Sequence, residues 1–163
     1  MRRGWRWLPL TAVVIVLDQL SKAWLARHFT FDESVAILPM LNVTLRFNTG
    51  AAFSVLADAS GWQRWLFAAL AIAVAVGIVV WLYRLDGVKQ RLLAASLSLV
   101  LAGALGNLID RLRLGHVIDF VDVHWKDVHF PAFNVADSAI TIGAILLLID
   151  AWRTGSRGGN KSG

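Results

Sequence analysis

Four stretches of this chain, at about residues 7–25, 65–83, 92–114 and 137–152, are apolar over nearly the whole of their length. Each approaches the roughly 20 residues that a helix needs to cross about 30 Å of hydrocarbon. The second is the cleanest, with no charged side chain from Trp65 to Tyr83, and it ends in a basic turn carrying Arg84, Lys89 and Arg91. The first follows Arg2, Arg3 and Arg6, which makes a cleavable signal peptide the competing reading of Leu8 to Leu17. Asp18 and Lys22 occupy the place of a small-residue cleavage site and apolar character resumes after them, so a retained helix is expected. Between the first two runs, residues 28–61 turn polar, with alternating pieces at Val35–Leu38 and Val43–Phe47 that read as strands. Residues 115–136 read as a long loop, and the Gly-, Ser- and basic-rich tail 153–163 as disordered.

The expected fold is therefore an all-α membrane protein: one integral membrane domain, a four-transmembrane-helix bundle, with a small extracytoplasmic β-containing segment between helices 1 and 2. Composition agrees. Of 163 residues 57% are hydrophobic and only 17% charged, with a mean hydropathy of +0.60. The net charge of +5 then reads as a topology signal and not as a nucleic-acid footprint. Arg2, Arg3, Arg6, Arg84, Lys89, Arg91, Arg153, Arg157 and Lys161 fall on one side of a four-helix arrangement. Both termini are thus expected in the cytoplasm, with 28–61 and 115–136 outside. The eight tryptophans lie largely at the ends of apolar runs, where an amphipathic ring prefers the interface.

An ionisable group in a membrane helix costs roughly 2.5–3.5 kcal/mol on insertion scales, so each asks for a partner or a role. Asp18 and Lys22 are spaced i, i+4 and can pair with each other, or Asp18 can brace the third helix. On that helix Asn107, Asp110 and Arg111 sit among Gly103 and Gly106, which admit a close neighbour. An Asp110–Arg111 pair is the default there, and a backbone carbonyl is the other target for Arg111. Asp137, placed before an apolar helix, looks like an N-cap. Asp119 and Asp122 look like alternating solvated carboxylates.

Asp119 and Asp137 nevertheless share the outer face, where two converging carboxylates repel unless chemistry needs them. A close pair shares one proton, so the ionised member can take a proton from water while the other protonates a scissile carbonyl. With no cysteine, no H-E-x-x-H, no metal-type spacing of His116, His124 and His129, and no G-x-S-x-G or phosphate-binding glycine loop, no metal or cofactor is expected. The competing class is a non-enzymatic bundle using Asp18, Asp110 and Arg111 as an ion relay.

The blocks VLDQLSK (16–22), FNTGAAFS (47–54), GALGNLIDR (103–111), GHVIDF (115–120) and FNVADS (133–138) closely resemble, in order and spacing, those of bacterial lipoprotein signal peptidase, signal peptidase II. The resemblance implies an aspartic membrane endopeptidase of the cell inner membrane that cleaves prolipoproteins before a diacylglyceryl-modified cysteine at the outer face. On that pattern Asp119 and Asp137 match the catalytic pair. Asp18, Asn48, Gly50, Asn107, Asp110, Arg111 and Asn134 match residues that support the pair or hold substrate. It also implies membrane lipids as surroundings, a globomycin-type cyclic peptide as inhibitor, and a monomer that binds no nucleic acid. Phe47–Ser54 is expected to form a flexible cover, and Ile118, Phe53, Phe120 and Phe133 to pack near the pair or meet apolar parts of the substrate.

Overall fold

The computed structural model describes residues 4–50 and 61–158, and for 156–158 the backbone alone. A short 3-10 turn, Gly4–Trp7, leads into helix α1 (Leu8–His28), whose Pro9 occupies the first turn, where a missing N–H costs nothing. Strands β1 (Ser34–Leu38) and β2 (Leu41–Asn48) follow, then helices α2 (Trp62–Arg84) and α3 (Arg91–Leu114). Gly115, at φ 86°, takes the left-handed conformation that ends α3, and its N–H reaches the carbonyl of Arg111 at 3.2 Å. Strands β3 (Val117–Trp125) and β4 (Val128–His129) and helix α4 (Val135–Gly158) complete the chain.

Among the described residues, four helices are long and apolar enough to cross a membrane. Their roles differ. In α3, 56% of the most apolar window is buried against protein, against 22% or less in the other three, so α3 is the central helix. The outward faces of α1, α2 and α4 expose Val13, Leu20, Leu70, Val76, Ile145 and Leu148, which suits lipid as solvent. The apolar core lies at the end of the bundle that carries the amino terminus, where Ala75, Ile78 and Leu82 of α2 meet Ala94, Leu97 and Leu101 of α3. There Gly4 and Trp7 donate to the carbonyls of Leu85 and Gly87, closing the bundle against the α2–α3 turn.

The opposite end is capped by an antiparallel sheet in the order β1-β2-β3-β4. The expectation of a sheet confined to the segment between α1 and α2 is corrected here: residues 117–129 supply half of its strands. In β3 the residues Val117 to Phe120 are all buried, so the run lacks the in–out alternation of a half-exposed strand. Its partner β2 is remote in sequence, with Arg46 opposite Asp119 and Asn48 opposite Val117. The expected disordered tail is also revised, because α4 continues to Gly158, with the Thr154 hydroxyl donating back to the carbonyl of Asp150. Residues 159–163 lie outside the described residues.

Close contact of α3 with α4 depends on Gly103. A Cβ there would collide with the backbone carbonyl of Ala136 and stand 2.5 Å from Ile140 Cγ1. Gly77 on α2 has nothing within 4 Å of the same position. Gly103→Ala is therefore predicted to destabilise by roughly 1–3 kcal/mol through overpacking. Gly77→Ala should be neutral or stabilising by up to about 1 kcal/mol through helix propensity. Thermal unfolding of the two variants in detergent checks the contrast.

Candidate active site

Asp119 comes from the buried end of β3 and Asp137 from the first turn of α4, and the chain between them folds back to bring the two together. Phe133 accepts from the N–H groups of Phe120 (3.0 Å) and Val121 (2.8 Å) and donates to Val121 O (3.1 Å). Those bonds place Asn134 beside Asp119.

Asn134, fully buried, joins both acids. Its Nδ2 donates to Asp119 Oδ1 at 2.7 Å, and also lies within reach of Asn107 Oδ1 and Ile118 O. Its Oδ1 accepts from the Asp137 N–H at 2.9 Å, while Asp137 Oδ2 accepts from the Asn134 N–H at 3.2 Å. This reciprocal pair is a capping box, so the expectation that Asp137 is itself the N-cap is corrected: Asn134 caps the helix, and Asp137 lies three residues on. Asp137 Oδ1 then accepts from Asn107 Nδ2 at 2.7 Å. Asp119 Oδ2 accepts from Asn48 Nδ2 at 2.9 Å.

The two carboxylates of β3 are not alike. Asp119 is 2% exposed, and burial pushes it up from the usual carboxylate range to about 6. Hydrogen bonds from Asn48 and Asn134 and the Lys22 ammonium pull it down, while the nearby Asp137 adds to the rise. Burial also acts upward on Asp122, but hydrogen bonding to His129 and Asn42 outweighs it and holds that carboxyl low. Both acids are buried and line the same cavity, so they differ in their hydrogen-bond partners and not in facing inward or outward.

The helix-borne polar residues converge behind this pair. Lys22 bridges Asp18 and Asp110, each at 2.8 Å, and donates to Asn107 Oδ1 at 3.1 Å. Asp18 pairs with Lys22 as expected, but the helix it braces directly is the fourth and not the third: its Oδ1 accepts from the Ala136 N–H of α4 at 2.9 Å, while α3 is reached through Lys22. The default Asp110–Arg111 pair is replaced. Asp110 faces Lys22, and Arg111, one residue on and on a different side of the helix, donates from Nη1 to the Asn107 carbonyl at 3.3 Å. Its guanidinium stands over the Phe67 ring at 5.3 Å, and Nε has no hydrogen-bond partner among the described residues. Gln19, not singled out by sequence reasoning, links Asp18 and Asp110 through Nε2. Its only signal was its place between two residues of the first polar cluster.

In front of Asp119 lies a cavity of about 750 Å³, lined among others by Asn48, Gly50, Phe67, Arg111, Phe130 and Pro131. Gly50 has φ 90° and lies close enough to Phe67 that a Cβ would reach the ring, so a side chain is excluded there. Of the residues expected to pack near the pair, Ile118 and Phe120 are buried and Phe133 half-buried. Half of the expected cover, including Phe53 and Ser54, lies outside the described residues.

Comparison with known proteins gives the same arrangement a lineage. A family model described as signal peptidase (SPase) II matches residues 10–153. A lipoprotein signal peptidase of Pseudomonas aeruginosa PAO1 is 53% identical over 154 residues, covering 93% of this chain and 90% of its own. One from Shewanella piezotolerans is 51% identical over 152 residues, covering 93% and 89%. A bacterial membrane enzyme solved by the in meso method at 2.3 Å superposes with a TM-score of 0.82 at 31% identity, over 96% of this chain and 95% of that one. With the match running through all four helices and every residue of the buried polar cluster, this chain belongs to the signal peptidase II family.

Proposed function

We propose that this protein is a lipoprotein signal peptidase that cleaves prolipoproteins ahead of a diacylglyceryl-modified cysteine, with Asp119 and Asp137 as the catalytic pair. The observation that carries this reading is Asn134, one buried amide joined by hydrogen bonds to both acids. Asp119 holds the shared proton. Asp137 takes a proton from a water lying between the two carboxyls, the water oxygen attacks the scissile carbonyl carbon, and Asp119 protonates the carbonyl oxygen. Collapse of the resulting diol breaks the C–N bond as the leaving amine takes up the proton that Asp137 received and a diol hydroxyl returns its proton to Asp119, which restores the pair.

Substrate contact follows from the cavity. Asn48, Gly50 and Arg111 line it, and the guanidinium supplies a cation suited to a substrate backbone carbonyl. Substrate bearing acyl chains arrives by lateral diffusion, and a site where helix ends meet a sheet is open to that route. The basic residues at the far end of the bundle support an orientation with both termini in the cytoplasm and the sheet outside, in the inner membrane. A globomycin-type cyclic peptide would fit the same cavity as a competitor of substrate.

Asp119→Asn and Asp137→Asn should each lower kcat by at least about a hundredfold, the scale of general acid–base catalysis, while the protein stays folded in the membrane. Cleavage of a lipid-modified precursor by purified variants tests this, and parental turnover by either one ends the assignment. The second prediction concerns pH. A carboxyl raised to about 6 is protonated below that pH and ionised above it. Because Asp119 must donate, kcat/KM should fall as pH rises through about 6. Bound substrate excludes water and raises the group further, so the corresponding limb of kcat should lie at higher pH. A kcat/KM that instead rises through this range would give the acid's role to Asp137.

A further inference from the structure

Lys22 lies behind the pair and is absent from the lining of the cavity, yet the hydrogen-bond paths to both acids meet at its ammonium. The group is 2% exposed and has three acceptors: Asp18 Oδ2 and Asp110 Oδ2 at 2.8 Å, and Asn107 Oδ1 at 3.1 Å. Each acceptor makes a second bond that ends at, or one residue from, a catalytic aspartate. Asp18 Oδ1 holds the Ala136 N–H at 2.9 Å, and Asp110 Oδ2 holds the Ile118 N–H at 3.2 Å. Asn107 Nδ2 donates to Asp137 Oδ1 at 2.7 Å. One cation thereby ties α1 and α3 to the start of β3 and the first turn of α4.

We propose that Lys22 is a positioning residue for the cleavage reaction, its buried ammonium fixing the separation of the two segments that carry Asp119 and Asp137. The inference rests on the assignment of those residues as the catalytic pair. Without the cation, Asp18 and Asp110 keep the neutral amide of Gln19 between them but lose the charge that compensates them in a low-dielectric interior. Their repulsion is relieved by moving apart, and the segments bonded to them move too. Misplacement of reacting groups by about 1 Å can cost on the order of a hundredfold in rate. Substrate affinity is spared, because no atom of Lys22 reaches the cavity lining. The ammonium also acts on Asp119 through space, alongside Asp137, Arg111 and the amides of Asn48 and Asn134. Its removal therefore carries the titration of Asp119 upward.

The test is Lys22→Met in lipid nanodiscs, measured beside Asp137→Asn on a lipid-modified precursor. The expected result is a kcat lower by about a hundredfold, an unchanged KM, and an alkaline limb of kcat/KM displaced to higher pH. The double variant Asp18→Asn/Lys22→Met removes one negative charge with the cation while keeping an oxygen for the Ala136 N–H, so it guards against simple loss of folding. With the repulsion gone it should recover part of the lost kcat without reaching the parental value, because the ammonium that fixes the separation is still missing. Parental kcat in either Lys22 variant, or a loss that leaves the pH profile unmoved, overturns the proposal. Failure of both variants to fold overturns it too, since Lys22 would then be a folding element. If Asp137→Asn still cleaves, it is the catalytic assignment that fails, and the positioning role falls with it.

Discussion

Charge buried among lipid-facing helices must be neutralised from within, and in this protein that constraint is met at one place. Lys22 stands between Asp18 and Asp110, and all three are 3% exposed or less. Breaking such a buried cluster by removing one partner typically costs about 3–5 kcal/mol, far more than an exposed pair contributes. The requirement selects a geometry: α1 and α3 must present these groups at one depth, and the remaining lone pairs must find donors. They find them in the N–H groups of Ile118 and Ala136, next to the two acids of the site. Satisfying buried charge and bringing the acids together are one arrangement.

The same logic explains the division of the bundle into two ends. Near the termini, Leu82, Leu97 and Leu101 pack without polar groups. At the sheet end, amides and acids gather among the apolar residues: Asn107, Asp110, Asp119 and Asn134 are buried beside Val117, Ile118 and Phe120. Amides suit this role because each both donates and accepts, so Asn107 and Asn134 pass hydrogen bonds on from one carboxyl to the next. Asp119 is left with burial as its dominant influence, and a carboxyl near 6 is poised to exchange a proton close to neutrality. Asp122, on the same strand and lining the same cavity, is held low by His129 and Asn42.

Much of this was legible in the chain, and the failures have physical causes. Hydropathy marks the helices because lipid demands long apolar runs, and the runs ending at Tyr83 and Leu114 need no tertiary information. Strand β3 was hidden because its first residues are buried and its partner strand lies in the other outer segment, so neither alternation nor a nearby turn marks it. Asp137 before an apolar run mimics an N-cap, and only the bonds from Asn134 reveal that the helix starts earlier. Asp110 beside Arg111 suggests a pair in sequence, but neighbours on a helix face different ways, and the ammonium of α1 is the nearer partner. The motif resemblance supplied most of the polar residues, yet not Gln19 and not the order of their connections, which depends on how α1 docks on α3. Arg153 to Gly158 read as tail by composition, while the helix continues through them.

The central claim is that Asp119 and Asp137 meet closely enough to share a single water, with Asn134 bridging them. The most direct measurement is an experimental structure of the protein in a lipid phase, at a resolution that places ordered water. One water within about 3 Å of a carboxyl oxygen of each aspartate is the predicted result. Carboxyls set so far apart that no single water touches both, or an Asn134 side chain turned away from them, would contradict the account.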